Sequence, residues 1–308
     1  MRVEEYGKLG NAIYEYTDDG DSCVIHDPRT PRYWYNYLWN EMGYCAQVSQ
    51  VGHGRSYYLN DRADMCMLNR DAARYVYFRD EDSGKCWNLG TAPLMEPVTD
   101  YRCKHSLVCS VLSARKDHIS ASWRLFVPTG LYGEAWTLTL RNEDTIPRTM
   151  SLFPTVSFSL DGFSHPRYYE MYRSIETAFD DSLNGIYCRG DHPFAPHARY
   201  NGYLAASEPV FRYDGDLTAF CGPLSTVTNT DASASALYQR PQTVVQGRDC
   251  TGSDGALFIP GAVLQLKVML DPGEEKQIHL VYGVSESLEE AREAAGHYLH
   301  DTVLEAEL

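Results

Sequence analysis

Two stretches of strict alternation restrict this chain to a β fold. Trp136, Leu138 and Leu140 alternate with Thr137, Thr139 and Arg141. A polar turn runs from Asn142 to Pro147. Met150, Leu152, Val156, Phe158 and Leu160 then share a face, with Ser151, Thr155, Ser157 and Ser159 on the other. Successive strand side chains point to opposite faces, so this pattern marks strands with one buried side. The spacing predicts one long antiparallel hairpin. The same grammar recurs near the end of the chain. Leu264, Leu266, Val268 and Leu270 share a face, and Ile278, Leu280 and Tyr282 return after Asp271-Pro272-Gly273-Glu274. That tetrapeptide predicts a type II turn, with Pro presetting the first corner and Gly supplying positive φ at the second.

After Tyr282 the period changes. Ser287 with Glu290 reads as a capping box. Leu288, Ala291, Ala295, Tyr298 and Leu299 then form one helical stripe, which predicts a helix over 288–300 whose apolar side needs a partner surface. His297 and His300 sit one turn apart, and a solvated helix end is the simpler reading than a metal site. The middle, Asp161 to Gly255, is punctuated by Gly, Pro and Asn and predicts short strands between long loops. Thr228 to Ala236 is small and polar and reads as an exposed loop.

Near the start, Tyr33, Trp34, Tyr35, Tyr37, Trp39 and Tyr44 form a dense aromatic cluster. Neighbours in such a run fall on opposite strand faces, so at least half of these rings are expected to be buried, as core and interface. A hairpin-like unit follows: Tyr75 to Phe78, a turn from Asp80 to Gly84, then Lys85-Cys86-Trp87. His53, within Gly52-His53-Gly54, is expected on a flexible, solvent-facing turn.

This opening resembles the N-terminal region of glycoside hydrolase family 94, formerly glycosyltransferase family 36, the inverting cellobiose and chitobiose phosphorylases. The matching elements are Pro28, Thr30-Pro31, Trp34, Asn36-Tyr37-Leu38, Gly43-Tyr44 and Ser56-Tyr57-Tyr58. Arg74-Tyr75, Phe78-Arg79-Asp80, Gly84 and Trp87 complete them. At the other end, Asp271 to Arg292 resembles the last strand of that family's N-terminal domain and the helix after it. The resemblance implies a mainly β fold: a large two-sheet antiparallel super-β-sandwich, galactose-mutarotase-like, with a C-terminal helix. It divides the chain into a sandwich over 1–284 and a linker-type helix over 285–308.

Composition narrows the partners. The net charge of −15 argues against nucleic acid and anionic membranes. The chain opens MRVEEYG without an apolar leader and has no run of about 18 apolar residues. Nine cysteines without a CxxC pair fit reduced thiols, so a cytoplasmic location is expected. Cys103, His105 and Cys109 match no closed zinc spacing, and no metal site is assigned. The 23 tyrosines suit half-buried sheet faces and sugar-contacting surfaces alike.

An inverting phosphorylase needs a carboxylic acid to protonate the glycosidic oxygen while phosphate attacks the anomeric carbon. In the resembled enzymes the acid and the phosphate site belong to an (α/α)6 barrel. No stretch up to Leu308 matches those motifs, so no catalytic residue is assigned. No cofactor is expected, and inorganic phosphate is the implied co-substrate of the assembled enzyme.

A second implied site involves the sandwich. In the related cellobiose phosphorylases a sandwich segment reaches across a dimer to the partner's acceptor-sugar subsite. Here the corresponding stretch carries His165, Arg167, Tyr168, Tyr169, Glu170, Tyr172 and Arg173, followed by Ser174-Ile175. Met171 stands where the family has Arg, and Arg173 is the substitute two residues on. Aromatic faces stack on sugar C–H surfaces, Arg donates to hydroxyls and Glu accepts from them. The competing reading makes Tyr168 and Tyr172 packing residues at a loop-to-strand junction.

Three functions compete. The chain is a non-catalytic sandwich subunit or domain of an inverting β-glucoside phosphorylase, paired with a catalytic (α/α)6 barrel in a homo- or hetero-oligomer and supporting its acceptor subsite. Alternatively, it is a stand-alone carbohydrate-binding or regulatory module for oligosaccharide. A mutarotase-like enzyme is the third reading. It requires a His and a carboxylate converging on a sugar ring.

Overall fold

A computed structural model describes residues 13–60, 63–69, 73–162, 174–191, 200–222, 238–256 and 259–308. The architecture is mainly β and antiparallel, built as two walls around one principal core. One wall is an eleven-stranded sheet. Its strands, in spatial order, are Tyr14–Tyr16, Ser22–Ile25, Thr99–Ser106, Cys109–Lys116, Ile119–Phe126, Gly133–Asn142, Glu275–Ser285, Asn201–Ala206, Gly185–Asp191, Ser174–Asp180 and Gly255–Ala256.

The opposite wall is divided into two five-stranded sheets. The first runs Arg212–Asp216, Pro260–Leu270, Arg148–Ser157, Arg74–Asp80, Cys86–Trp87. The second runs Asp161–Gly162, Met65–Met67, Ser56–Leu59, Tyr44–Ser49, Tyr35–Trp39. They are laced where the chain passes from one to the other. Ser157 N donates to Ala73 O at 3.2 Å and Ser159 N to Leu68 O at 2.7 Å.

The alternating residues meet in the core as their period requires. Trp136, Leu138, Leu140, Ile278, Leu280 and Tyr282 of one wall pack on Met150, Leu152, Leu264, Leu266 and Val268 of the other. Each such large side chain contributes about 1.5–3 kcal/mol by leaving water.

The connectivity differs from the predicted hairpin. Gly133–Asn142 pairs with Ile119–Phe126 and Glu275–Ser285, whereas Arg148–Ser157 pairs with Arg74–Asp80 and Pro260–Leu270. The chain between them is an arch from one wall to the other. Pro260–Leu270 and Glu275–Ser285 are likewise in different walls. Alternation reports which face is buried and not which neighbour supplies the hydrogen bonds, so arch and hairpin share one pattern. The turn itself is as predicted: Glu274 N donates to Asp271 O at 2.9 Å and Gly273 has φ +79°. Asn142 clamps both arches together. Its N donates to Glu274 O at 2.9 Å, and its Nδ2 donates to Ile146 O and Leu270 O at 2.8 and 3.0 Å.

The unit from Tyr75 to Trp87 is the predicted hairpin, with Phe78 opposite Trp87 and Arg79 opposite Cys86. Asp80 holds its turn by accepting from Asp82 N, Ser83 N and Ser83 Oγ, and from Arg148 behind it.

The helix expected over 288–300 spans Leu288–Tyr298, and a second follows at Asp301–Glu307. Ser287 Oγ accepts from Glu290 N at 3.2 Å. Glu290 answers one residue earlier than a capping box, accepting from Glu286 N at 2.9 Å. Its apolar stripe finds a surface within the chain. Ala291, Ala295 and Tyr298, with Leu304, pack on Phe126, Ala135, Tyr203 and Val281, the outer face of the eleven-stranded sheet. The outer face of the first five-stranded sheet is covered too, by Leu217, Phe220, Tyr238 and Val244 over Tyr77, Phe153 and Val263.

The aromatic cluster is less buried than alternation implied. Tyr44 is buried, and Trp34 and Tyr35 are half-buried, but Tyr33, Tyr37 and Trp39 are exposed. Tyr35–Trp39 is an edge strand, and its outward residues Tyr37 and Trp39 lack the cover that the other two sheets receive. Thr228 to Ala236 lies outside the described residues.

Candidate functional site

The seven residues predicted to face sugar, His165, Arg167, Tyr168, Tyr169, Glu170, Tyr172 and Arg173, lie outside the described residues. Their roots are described. The chain enters the segment from Asp161–Gly162, at the edge of the second five-stranded sheet, and leaves it into Ser174–Asp180 of the large sheet. Ser174 is paired with Asp191, the last residue before 192–199. That neighbouring segment returns at Tyr200 and Asn201, and Asn201 Oδ1 accepts from Gly190 N at 3.3 Å.

The described residues flanking both segments lie at one end of the sandwich. Its floor is tight and aromatic. Tyr58, Tyr132 and Tyr200 meet edge to face with centroids 5.3–6.3 Å apart. Tyr132 Oη donates to Leu59 O, tying the large sheet to the second five-stranded sheet. Gly202 is needed here, because a Cβ would lie 2.6 Å from the Phe158 ring. On the far side, Asp180 anchors the C-terminal helix. Arg292 Nε and Nη2 donate to its two oxygens at 3.1 and 2.8 Å. The Arg292 hydrogen bond, outweighing burial, holds the Asp180 carboxyl below the usual carboxylate range.

The most polar place in the core is a buried ion pair. Arg74 begins the strand Arg74–Asp80, and Glu134 lies in Gly133–Asn142, so the pair spans the two walls. Both side chains are 0% exposed. Arg74 Nη1 donates to Glu134 Oε1 and Oε2 at 3.0 and 2.9 Å and to Ser56 Oγ at 3.2 Å. Its Nε donates to Gly52 O at 3.2 Å and its Nη2 to Gln47 O. Ser56 Oγ donates to Glu134 at 2.8 Å. Full burial gives a sugar no access to this pair, so it is a tie between walls.

That tie explains His53. At Gly54 a Cβ would lie 1.7 Å from Gln47 O and 2.9 Å from Arg74 Nη2, and at Gly52, with φ +87°, it would meet the Trp123 ring. The Gly-His-Gly turn is consequently pinned and not flexible. His53 is buried against Tyr33 and Tyr75, with Nδ1 2.6 Å from Ser49 Oγ. Burial, then the Arg74 and Arg55 charges, lowers its pKa to about 4. The sequence did carry a signal here: paired glycines around one residue mark close backbone approach as readily as flexibility.

Among the described residues, two histidines contact a carboxylate: His26 with Glu15 at 3.1 Å, and His279 with Asp301 at 3.8 Å. The first pair is exposed and the second joins a strand to the last helix. Cys103 and His105 share the inner face of Thr99–Ser106, with Sγ 3.5 Å from Nε2, while Cys109 begins the next strand. No helix among the described residues is long and apolar enough to cross a membrane.

Residues 21–301 match the family model described as glycosyl hydrolase 94, supersandwich domain. A 3-O-β-D-glucopyranosyl-β-D-glucuronide phosphorylase from Paenibacillus borealis is 30% identical over 308 residues, covering 94% of this chain and 35% of its own length. Solabiose phosphorylase from the same organism is 30% identical, covering 90% of this chain and 35% of its own. N,N'-diacetylchitobiose phosphorylase from Vibrio furnissii is 28% identical, with 88% and 33% covered. The chain spans about a third of the length of these curated relatives.

Proposed function

The chain belongs to the supersandwich domain family of glycosyl hydrolase 94, and from that premise we propose that it is the sandwich component of an inverting β-glucoside phosphorylase. It acts with a catalytic (α/α)6 barrel, on the same or a separate polypeptide, within a cytoplasmic oligomer. The barrel supplies the acid that protonates the glycosidic oxygen and the groups that hold inorganic phosphate. The sandwich supplies interface and part of the acceptor-sugar subsite. The helices after Ser285 serve as the spacer towards the barrel.

The observation that carries this reading is the match over 21–301 to a sandwich family whose relatives, phosphorylases by name, are about three times as long. A supporting one is that the residues flanking 163–173 are both held in strands, Gly162 paired with Cys66 and Ser174 with Asp191. Binding residues are often carried on loops positioned by a rigid scaffold.

The test uses phosphorolysis. The chain alone is expected to release no sugar 1-phosphate from β-glucosides, and the assembly with its barrel is expected to do so. In that assembly Arg173→Ala raises the acceptor KM about tenfold with kcat little changed. Phosphorolysis at enzymic rates by this chain alone overturns the reading, and an unchanged acceptor KM removes Arg173 from the subsite.

A further inference from the structure

At the opposite edge of the large sheet from Ser174–Asp180 lies a groove of about 480 Å³. It opens between the edge strand Tyr14–Tyr16 with its neighbour Ser22–Ile25 on one side and the start of Tyr35–Trp39 on the other. Its volume falls within the range of small-ligand sites. The geometry points to a binding site for a neutral sugar ring, the end or a unit of an oligosaccharide, separate from the phosphorylase subsites.

Three features of the lining carry this. The first is aromatic. Tyr14 and Tyr16, two apart on a strand of three residues, are 45% and 68% exposed. Tyr14 meets Tyr16 and Trp34 edge to face, at 5.8 and 5.4 Å with planes 85° and 88° apart. Their rings thus form the walls of a corner. An edge strand with two exposed tyrosines is a liability in an unliganded protein and a platform for a C–H face in a liganded one.

The second feature is a set of polar atoms placed at one rim. Ser22, Asn36 and Ser106 line the groove; Ser106 Oγ donates to Cys109 O at 2.9 Å, and Asn36 Nδ2 donates to Ser106 O at 2.7 Å and Ser110 Oγ at 3.1 Å. Asn36 is thereby locked, and His105 behind it is locked by Ser110 Oγ at 2.9 Å from Nδ1. The rim is preorganised, which spares a ligand the ordering of its side chains.

The third feature selects the ligand class. Asp21 is an exposed carboxylate on the lining, and among the described residues no Lys or Arg lines the groove. A carboxylate accepts from sugar hydroxyls and repels phosphate and uronate. Among the described lining residues nucleotides and sugar phosphates find no cation, so the fitting ligand is uncharged, with C–H faces and hydroxyl donors.

The experiment uses the whole chain in the W39F background, so that Trp34 is the tryptophan outside the core that reports. Cellotetraose is the neutral probe and glucose 1-phosphate the anionic one, with no acceptor or catalytic partner present. We expect a saturable emission change with cellotetraose at a Kd of about 1 mM and none with glucose 1-phosphate. Tyr16→Ala weakens binding about tenfold, and Asp21→Asn weakens cellotetraose by removing a hydroxyl acceptor. Both substituted side chains are exposed, and an unchanged thermal midpoint verifies folding. Absence of saturable binding, equal binding of the two probes, or indifference to Tyr16→Ala overturns the proposal. So does a concentration-dependent dimer abolished by Tyr16→Ala without sugar binding, because the groove would then hold a second copy. Phosphorolysis does not enter the readout, so these outcomes are independent of the catalytic reading.

Discussion

Glu134→Gln tests whether the tie between the walls governs stability. The substitution keeps volume and one amide oxygen but leaves the Arg74 guanidinium, 0% exposed, without its counter-charge. Arg74 retains Ser56 Oγ, Gly52 O and Gln47 O, so three of its contacts survive. The two charge-assisted bonds to Glu134 at 2.9 and 3.0 Å do not. The new amide also turns an NH2 towards either Arg74 or the Ser56 hydroxyl, which donated to the lost oxygen. Breaking a buried pair on one side costs about 3–5 kcal/mol. For a chain of this length that is a fall in thermal midpoint of about 5–8 °C. Urea unfolding should show a lower midpoint with the slope m unchanged, because the surface exposed on unfolding is the same. Arg74→Met combined with Glu134→Leu removes both charges and leaves only neutral acceptors to be resatisfied. The double variant should be more stable than the sum of the single losses by about 1–3 kcal/mol. A Glu134→Gln loss below about 1 kcal/mol, or strict additivity in the cycle, would refute the claim that the charges stabilise each other across the walls.

Four further outcomes follow from the same structure. His53 and His105 have pKa values lowered to about 4, each chiefly by burial, against an ordinary value near 6.5. The unfolded chain binds their protons first, so stability is full above about pH 6.5 and falls towards pH 4, by up to about 3 kcal/mol per histidine. Urea midpoints across that window check this, and His53→Phe should flatten the profile. Arg292→Ala removes the bidentate contact with Asp180, a partly exposed pair, and should loosen the helix it anchors. Amide exchange should quicken in Leu288–Tyr298 ahead of the sheets. Ala295→Asp buries a carboxylate under that helix and should unseat it, read as ellipticity lost with the sheet signal kept. Trp39→Ser, at a position 70% exposed, should change stability by less than about 0.5 kcal/mol.

What the sequence displays and what it conceals divide along a physical line. Faces are legible: Leu138, Leu152, Leu266 and Leu280 all lie in the principal core where alternation puts them. Local turns are legible too, since Asp271 to Glu274 and Asp80 to Gly84 depend on residues within the turn. Pairing is not. Whether Asn142 opens a hairpin or an arch is decided by hydrogen bonds to Leu270 and Glu274, more than 120 residues away. Burial of an individual aromatic is equally non-local. Tyr44 is buried because Glu134 and Tyr132 stand over it, whereas Trp39 on the adjoining strand is 70% exposed. The family resemblance at both ends identified the sandwich without resolving either point.

The same line explains the site. Arg74 reads in the sequence as one member of an Arg-Tyr pair, and Glu134 as a lone acid before Ala135-Trp136. Nothing in spacing joins residues 60 positions apart. Their meeting requires both walls to be in place, with Gly54 leaving room for the guanidinium. A glycine is the local trace of that distant contact, and Gly54→Ala is the economical way to expose it. The added methyl would sit 1.7 Å from Gln47 O, so the turn must move and carry Arg74 Nη2 away from that oxygen. The loss should therefore resemble that of Glu134→Gln and not add to it, since both act on one guanidinium. Full additivity of the two substitutions would mean that the turn and the ion pair are separate devices.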